Sequence, residues 1–420
     1  MEAQFSTLGA IIGLVIAIVL IIRKIQPAYC LILGALVGGI VGGGGLDATV
    51  STMVSGAASM MSSILRILTS GILAGALIKT GSAQKIAETI VDKLGEKRAV
   101  MAIAIATMII CAVGVFIDIS VITVAPIALA IGEKAGLSKS SILLAMIGGG
   151  KAGNIISPNP NTIAVSEAFS QDLTAVMMKN AIPAVCALIA AVLLSSALAK
   201  KTDTPITAED LEKANEKDLP SFLTAILGPL CVIVMLALRP IAGITIDPLI
   251  ALPLGGIICT LATGNAKNLV SYTEFGLSKV IGVSILLIGT GTIAGIIKAS
   301  ALQYDVINVL EAMHMPAFIL APLSGILMAA ATASTTAGAT VAAQTFAPAL
   351  LSSGVSGLAA AAMIHAGATV LDSLPHGSFF HATGGSVNLT IAQRMKLIPY
   401  EALIGLTSTV ISIILFLIAG

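Results

Sequence analysis

Apolar runs close to the length of a bilayer crossing follow one another along almost the whole chain. A transmembrane helix needs about 20 predominantly apolar residues, within a range of roughly 17–25. Runs of this kind lie at Leu8–Ile22, Pro27–Gly44, Ser62–Ile78, Ile182–Leu198, Pro220–Leu238, Ile246–Thr263, Gly282–Ile297 and Pro399–Ala419. Charged residues make up only 10% of the 420, whereas soluble domains are nearer a quarter charged. The chain therefore reads as an all-α polytopic membrane protein. Its net charge of +1 supplies no global field for nucleic acid. The first run reads as a retained span, because Arg23-Lys24 follows it and no basic residue precedes it. Cys30, Cys111, Cys186, Cys231 and Cys259 lie far apart in apolar runs. They read as packing residues and lack metal-ligand spacing.

Two apolar stretches have the wrong length. Residues 99–131 centre on Phe116-Ile117-Asp118-Ile119-Ser120, and residues 316–351 centre on Thr332–Gly338. Each is long for one span and short for two, so each is expected to be a re-entrant hairpin of two half-helices meeting at a polar tip. Such backbone is tolerated in a membrane only where it is buried in protein or lines a cavity. An apolar helix that breaks follows each hairpin, over residues 141–169 and 357–381. The breaks are expected at Lys151–Thr162 and His365–Gly377, both containing proline and glycine. The alternative, an ordinary loop at each place, leaves flanking helices too short to cross.

The order of these features repeats. Thr123-Val124-Ala125-Pro126 resembles Thr345-Phe346-Ala347-Pro348, and Lys151-Ala152-Gly153 resembles His365-Ala366-Gly367. The expected layout is a first repeat over 1–199, a hydrophilic cytoplasmic linker over 200–219 and a second repeat over 220–420. Each repeat has about five spans, one of them broken, plus one hairpin. Five crossings per half invert the second relative to the first, a secondary-transporter design. Threading the chain in this way gathers 17 of the 22 Lys and Arg on one side. Arg66, Lys179, Arg239 and Lys298 fall on the other, and Lys151 stays in the membrane. The positive-inside rule makes the basic side cytoplasmic and both termini external.

Ionisable residues inside a membrane are costly and usually functional. Asp118 falls at the first tip, Lys151 in the first break, and His365, Asp372 and His376 in the second. These are the candidates for proton coupling; the alternative role is a structural Asp–His or Asp–Lys pair. Hydroxyls and amides crowd the same places: Ser120 and Thr123; Ser157, Asn159, Asn161 and Thr162; Thr332, Ser334, Thr335 and Thr336; Ser373 and Ser378. Helices start just after the tips and breaks, and their free N–H groups attract an anion. Four such starts converging would hold a carboxylate without an arginine. Carbonyls at the preceding helix ends could hold Na⁺ instead, and simple capping is the bland alternative. Gly148-Gly149-Gly150-Lys151-Ala152 lacks the spacing and hydroxyl of a phosphate-binding loop. No motif calls for a cofactor or a catalytic metal, and none marks an enzyme.

At these residues the chain resembles the gluconate permease family of the ion transporter superfamily. The resemblance spans nearly the whole chain. It is carried by Val115–Pro126, Ser157–Ala164, Gly338–Ala342, Leu374–Phe380, Asn388–Thr390 and Tyr400–Gly405. It implies proton-coupled uptake of sugar acids or smaller hydroxycarboxylates, homodimers and an elevator-type movement in a bacterial inner membrane. Asp118 stands where gluconate permeases tend to have Glu. Asn159-Pro160-Asn161-Thr162 and Asp372–His376 also depart from the family's pattern. These departures leave both gluconate and a shorter anion, such as a hydroxybutyrate-like one, open as the substrate.

The expected function is therefore H⁺ symport of a small organic anion. Na⁺ symport by the same fold is the main alternative; a cation/proton antiporter or a channel is the alternative from another class. The charge asymmetry makes a direct prediction. A cysteine placed at Ala214 should be labelled by a membrane-impermeant reagent only from the cytoplasmic side, and labelling of the termini from that side would overturn the threading.

Overall fold

In the computed structural model the chain is helical, and no β-strand occurs among the described residues. These are residues 4–199, 204–207, 210, 218–302, 304–305, 308, 312, 316–375 and 377–419. Helices α1 (Thr7–Ile22) and α2 (Pro27–Val41) form an antiparallel pair. Ser6 caps the first by accepting from the Gly9 amide, and Pro27 opens the second. Helices α3 (Gly45–Ala58) and α4 (Met61–Lys79) follow, then an amphipathic α5 (Ser82–Leu94). Neither α3 nor α5 belongs to an apolar run, since polar residues interrupt both.

The first long stretch is two helices, α6 (Ala99–Ala112) and α7 (Ile117–Lys134). They return to one end of the molecule, where Glu96–Met101 share a cavity with Ala135 and Leu137. Next come α8 (Lys139–Asn154), α9 (Pro160–Ala168), α10 (Leu173–Lys179) and α11 (Ala181–Ala197). The α10–α11 pair bends by 46°.

Helices α12 (Phe222–Ala242) and α13 (Pro248–Ala262) pair as α1 and α2 do. Then α14 (Leu269–Lys298) runs unbroken for 30 residues, about 45 Å at 1.5 Å per residue. Its first turns were not legible as a span because Tyr272, Thr273, Glu274 and Lys279 interrupt them. Helices α15 (Leu320–Thr332) and α16 (Thr335–Ser352) pack against each other across a two-residue turn. Ala333 in that turn is left-handed, with φ +46°. Gly338 meets the Ala329 backbone, where a Cβ would come within 2.5 Å. The chain finishes with α17 (Gly357–Ala368), α18 (Ser378–Ser386), α19 (Ile391–Met395) and α20 (Ile398–Ala419). Pro126 lies inside α7 and Pro348 inside α16.

Among the described residues many of the apolar helices have only 10–17 residues, and three stretches are long and apolar enough to cross a membrane by themselves. Lipid supplies no hydrophobic force between helices, so close packing must hold them. The outer faces carry exposed Leu8, Val15, Tyr29, Leu193, Leu223 and Ile233. Inside, α6 and α8 approach until a Cβ on Gly149 would lie 2.0 Å from the Ala104 carbonyl oxygen. The linker, expected to lie on the surface, is partly anchored. Thr204 is buried and bonded to Ser140, and Asp210 pairs with Lys139 at 2.7 Å. Burial raises the Asp210 carboxyl, but bonds from Lys139, Asn388 and Thr207 outweigh it and hold it below the usual range. All five cysteines are free.

The α6–α8 contact fixes the helix that carries Lys151. Gly149→Val should overpack it and cost about 1–3 kcal/mol. The checking measurement is the melting midpoint of the purified protein in detergent; an unchanged midpoint would contradict this packing.

Candidate functional site

A cavity of about 530 Å³ lies where the two tips and the two breaks meet. It takes residues from the first turns of four helices: Ile117–Ile119 of α7, Asn161 of α9, Thr335–Ala337 of α16, and Ser378 and Phe379 of α18. The crossing is reciprocal. Helix α9 of the first half packs on α16 of the second, and α18 of the second packs on α7 of the first.

Local sequence explains each start. Asn159 caps α9 by accepting from the Asn161 and Thr162 amides at 2.9 and 3.1 Å, and Pro160 needs no amide partner there. Ser334 caps α16 by accepting from the Ala337 amide. Asp118 lies in the first turn of α7, where a carboxylate suits the helix dipole. Gly377 precedes α18 with extended backbone, and a Cβ on it would lie 2.4 Å from the Ala333 carbonyl oxygen.

Asp372 is the polar hub. Its Oδ1 accepts from the Lys151 ammonium at 2.6 Å and from the Ser373 hydroxyl at 2.9 Å. Its Oδ2 accepts from the Thr335 hydroxyl at 2.6 Å. Lys151 also donates to the Thr369 carbonyl. The Lys151 and Asp372 side chains are 1% and 2% exposed, so the pair is dry on the Lys151 side, while Asp372 reaches the cavity wall.

The other expected site residues divide. Asn161, Ser334, Thr335, Thr336, Ser378, Asp118 and Asp372 line the cavity. Asn159 and Thr162 are set back; the Thr162 hydroxyl donates to the Ser157 carbonyl. Ser120 gives its hydroxyl to the Phe116 carbonyl, and Thr123 is half-buried on α7 away from the lining. Ser373 acts on Asp372. Lys151 and His365 correct the expected breaks: each lies in the last turn of a helix, α8 and α17, and the chain unwinds only after Asn154 and Ala368. His365 is fully buried, with no hydrogen-bond partner for either ring nitrogen among the described residues. His376 lies outside the described residues. His381 is exposed, its Nε2 2.8 Å from the Pro375 carbonyl oxygen.

Sequence reasoning did not single out Asn154, Lys24, Gln26 or Lys279, which also line the cavity. Asn154 is buried and accepts from Asn161 at 3.0 Å, while its own Nδ2 has no partner among the described residues. By charge placement Lys24 and Lys279 read only as orientation charges, Lys24 in the α1–α2 turn and Lys279 within α14 before its apolar stretch. Arg66, near the start of the run Ser62–Ile78, likewise reads from sequence only as a charge on the external side. It bridges Glu167 of α9 and Asp247 before α13, each at 2.6 Å, beside a separate cavity of about 350 Å³.

A multi-pass helical protein whose interior cavity is walled by hairpin tips and broken helices has the build of a membrane transporter. Residues 5–419 match the family described as GntP family permease, and the chain belongs to that family. Its members are transporters, not enzymes. An uncharacterized transporter of Haemophilus influenzae is 54% identical over 411 residues, covering 98% of both chains. A high-affinity gluconate transporter of Escherichia coli K12 is 23% identical over 410 residues, covering 92% of this chain and 93% of that one. The crystal structure of the Alcanivorax borkumensis YdaH transporter shares the fold, with a TM-score of 0.68, 14% identity and 90% of each chain covered.

If the first turns of α9 and α16 share one ligand, Asn161→Ala and Thr335→Ala should each weaken substrate binding in a protein that still folds and inserts. Unchanged affinity in both purified variants would rule out a shared site.

Proposed function

We propose that this permease is a secondary active transporter taking up a small organic hydroxycarboxylate, gluconate or a shorter hydroxy acid, together with H⁺. One observation carries the reading: four helix starts and two carboxylates, Asp118 and Asp372, meet in one cavity. The N–H groups of first turns favour an anion. A carboxylate near that anion is stable only while it is paired or protonated, which links anion binding to a proton. The volume suits a small polar solute. The gluconate transporter among the relatives supports a sugar acid as one substrate.

The same reading takes the halves as inverted repeats, 1–199 and 220–420, with re-entrant hairpins and a cytoplasmic linker between them. The recurring element order and the reciprocal packing of α9 and α18 support it. Lys24, Gln26 and Lys279 lie at the cavity, on the basic, cytoplasmic side of the threading. The conformation is then inward-facing, with both termini outside. Alternating access by an elevator movement and a homodimer complete the proposal.

Proteoliposomes test it. An imposed inward pH gradient should concentrate labelled gluconate or 3-hydroxybutyrate, and a Na⁺ gradient alone should not; the reverse result would establish Na⁺ coupling. Asp118→Asn and Asp372→Asn imitate the protonated carboxyls. A variant at the coupling position should still exchange substrate but not concentrate it. Wild-type accumulation by both variants would remove both aspartates from the coupling step.

A further inference from the structure

The donors around Asp372 are those that a bound carboxylate would need: the buried Lys151 ammonium behind it and the Thr335 and Ser373 hydroxyls, with Asp372 and Thr335 themselves on the cavity wall. A carboxylate already fills that place, and it belongs to the protein. Lys151 has the Thr369 carbonyl as its other acceptor, so it can exchange one carboxylate for another without losing every partner. Asp372 stands in the irregular stretch between α17 and α18, where no helical ladder fixes its backbone. Lys151, by contrast, is fixed on α8, which is buried along its length. The movable partner is the aspartate.

We propose that Lys151 and Thr335 form the receptor for the substrate carboxylate, and that Asp372 occupies it in the empty carrier as a built-in carboxylate, yielding only when it takes a proton. The inference rests on the carboxylate-transport reading above and assigns its chemistry. One proton passes from the aqueous cavity to an Asp372 oxygen. The salt link from Lys151 then passes from Asp372 to the incoming anion, and the Thr335 hydroxyl turns to the same anion. No covalent bond between heavy atoms changes.

Charge explains why the exchange must be coupled. Empty, the cluster holds one ammonium and one carboxylate. Loaded, it holds one ammonium, one substrate carboxylate and a neutral acid. Both states are neutral overall. Binding the anion without the proton would bury a surplus negative charge, and protonating Asp372 without the anion would leave a buried ammonium unpaired. Both are strongly disfavoured in a dry site. Neutral clusters can cross the protein; charged ones cannot readily do so. The arrangement gives one proton per carboxylate.

Other charged and titratable groups surround the hub. Asp118 of α7, Lys24 of the α1–α2 turn and Lys279 of α14 line the same cavity. His365 is buried on α17, and His381 is exposed on α18. None of these donates a hydrogen bond to Asp372 among the described residues, whereas Lys151, Thr335 and Ser373 do.

The test uses gluconate and acetate as probes on purified full-length protein. Wild type should bind gluconate more weakly as pH rises from 6 to 8, and should take up a proton from weakly buffered solution with each anion bound. Asp372→Asn cannot occupy the receptor as an anion. It should bind gluconate roughly tenfold or more tightly than wild type at pH 8, because the competent fraction no longer depends on a proton, and its affinity should be flat with pH. Acetate, but not neutral acetamide, should raise its melting midpoint. The double variant Lys151→Gln with Asp372→Asn removes both charges together, so it should fold, and it should lose the tight binding and the acetate effect. An Asp372→Asn protein that binds neither probe more tightly than wild type at pH 8 would overturn the receptor. If that variant cannot be purified even in acetate, the wild-type proton count decides: anion binding without proton uptake overturns the proposal. Either failure, alongside wild-type uptake driven by a pH gradient, would leave the transport reading standing.

Discussion

Helices that stop inside the molecule impose the constraint on which the rest depends. Each stop leaves backbone N–H or C=O groups without intrahelical partners, away from bulk water. Asn159, Ser334 and Gly377 are the local answers at three of the starts, and Asp118 balances the fourth. At α9 capping leaves no amide over, since Pro160 has none and Asn159 takes those of Asn161 and Thr162; the first turns of α7, α16 and α18 lie around the common cavity with it. The site is thus a by-product of breaking the helices, and no separate binding module has been added.

The breaks need a rigid surround. Each broken helix rests on the other half of the chain: α9 packs on α16 and α18 on α7. The Lys151–Asp372 pair ties α8 to the second break across 221 positions of sequence. Removing either partner alone would leave a buried charge, a change that typically costs about 3–5 kcal/mol. Further out, the buried Arg394–Glu401 pair joins α19 to α20 beneath α18, with Arg394 also 4.9 Å from the Phe380 ring centroid. Arg66 performs a related task at the other end, between α4, α9 and the start of α13.

Hydropathy and proline–glycine punctuation carried much of this architecture. Residues 99–131 and 316–351 stand out because their length and polar centres fit neither one span nor two, and each stretch holds a pair of helices. The exact breaks were less legible. Lys151 and His365 are polar residues in apolar surroundings and so look like break residues, yet α8 and α17 continue past both. Their polarity is satisfied or tolerated by the fold, as Lys151 shows by reaching Asp372. Helices α3 and α5 escaped notice because their polar residues interrupt any apolar run, and α10 because seven residues are too few to read as a span. Thr335 and Asp372 were found separately, from composition at a tip and at a break. Their bond, and the role of Lys151 in it, depends on tertiary contact that no spacing encodes. Lys24 and Lys279 were hidden for another reason: a lysine beside an apolar run has an adequate explanation in membrane orientation.

The central claim is that one organic carboxylate is held by helix starts contributed from both halves. A structure of the protein with bound gluconate tests it most directly. The account predicts carboxylate density against Thr335, within reach of Lys151, Ser378 and the first turns of α7 and α9, with Lys279 at the approach. Density seated instead beside Arg66 and Glu167, or along α3 near Lys298, with the first-turn amides of α16 and α18 left untouched, would contradict it.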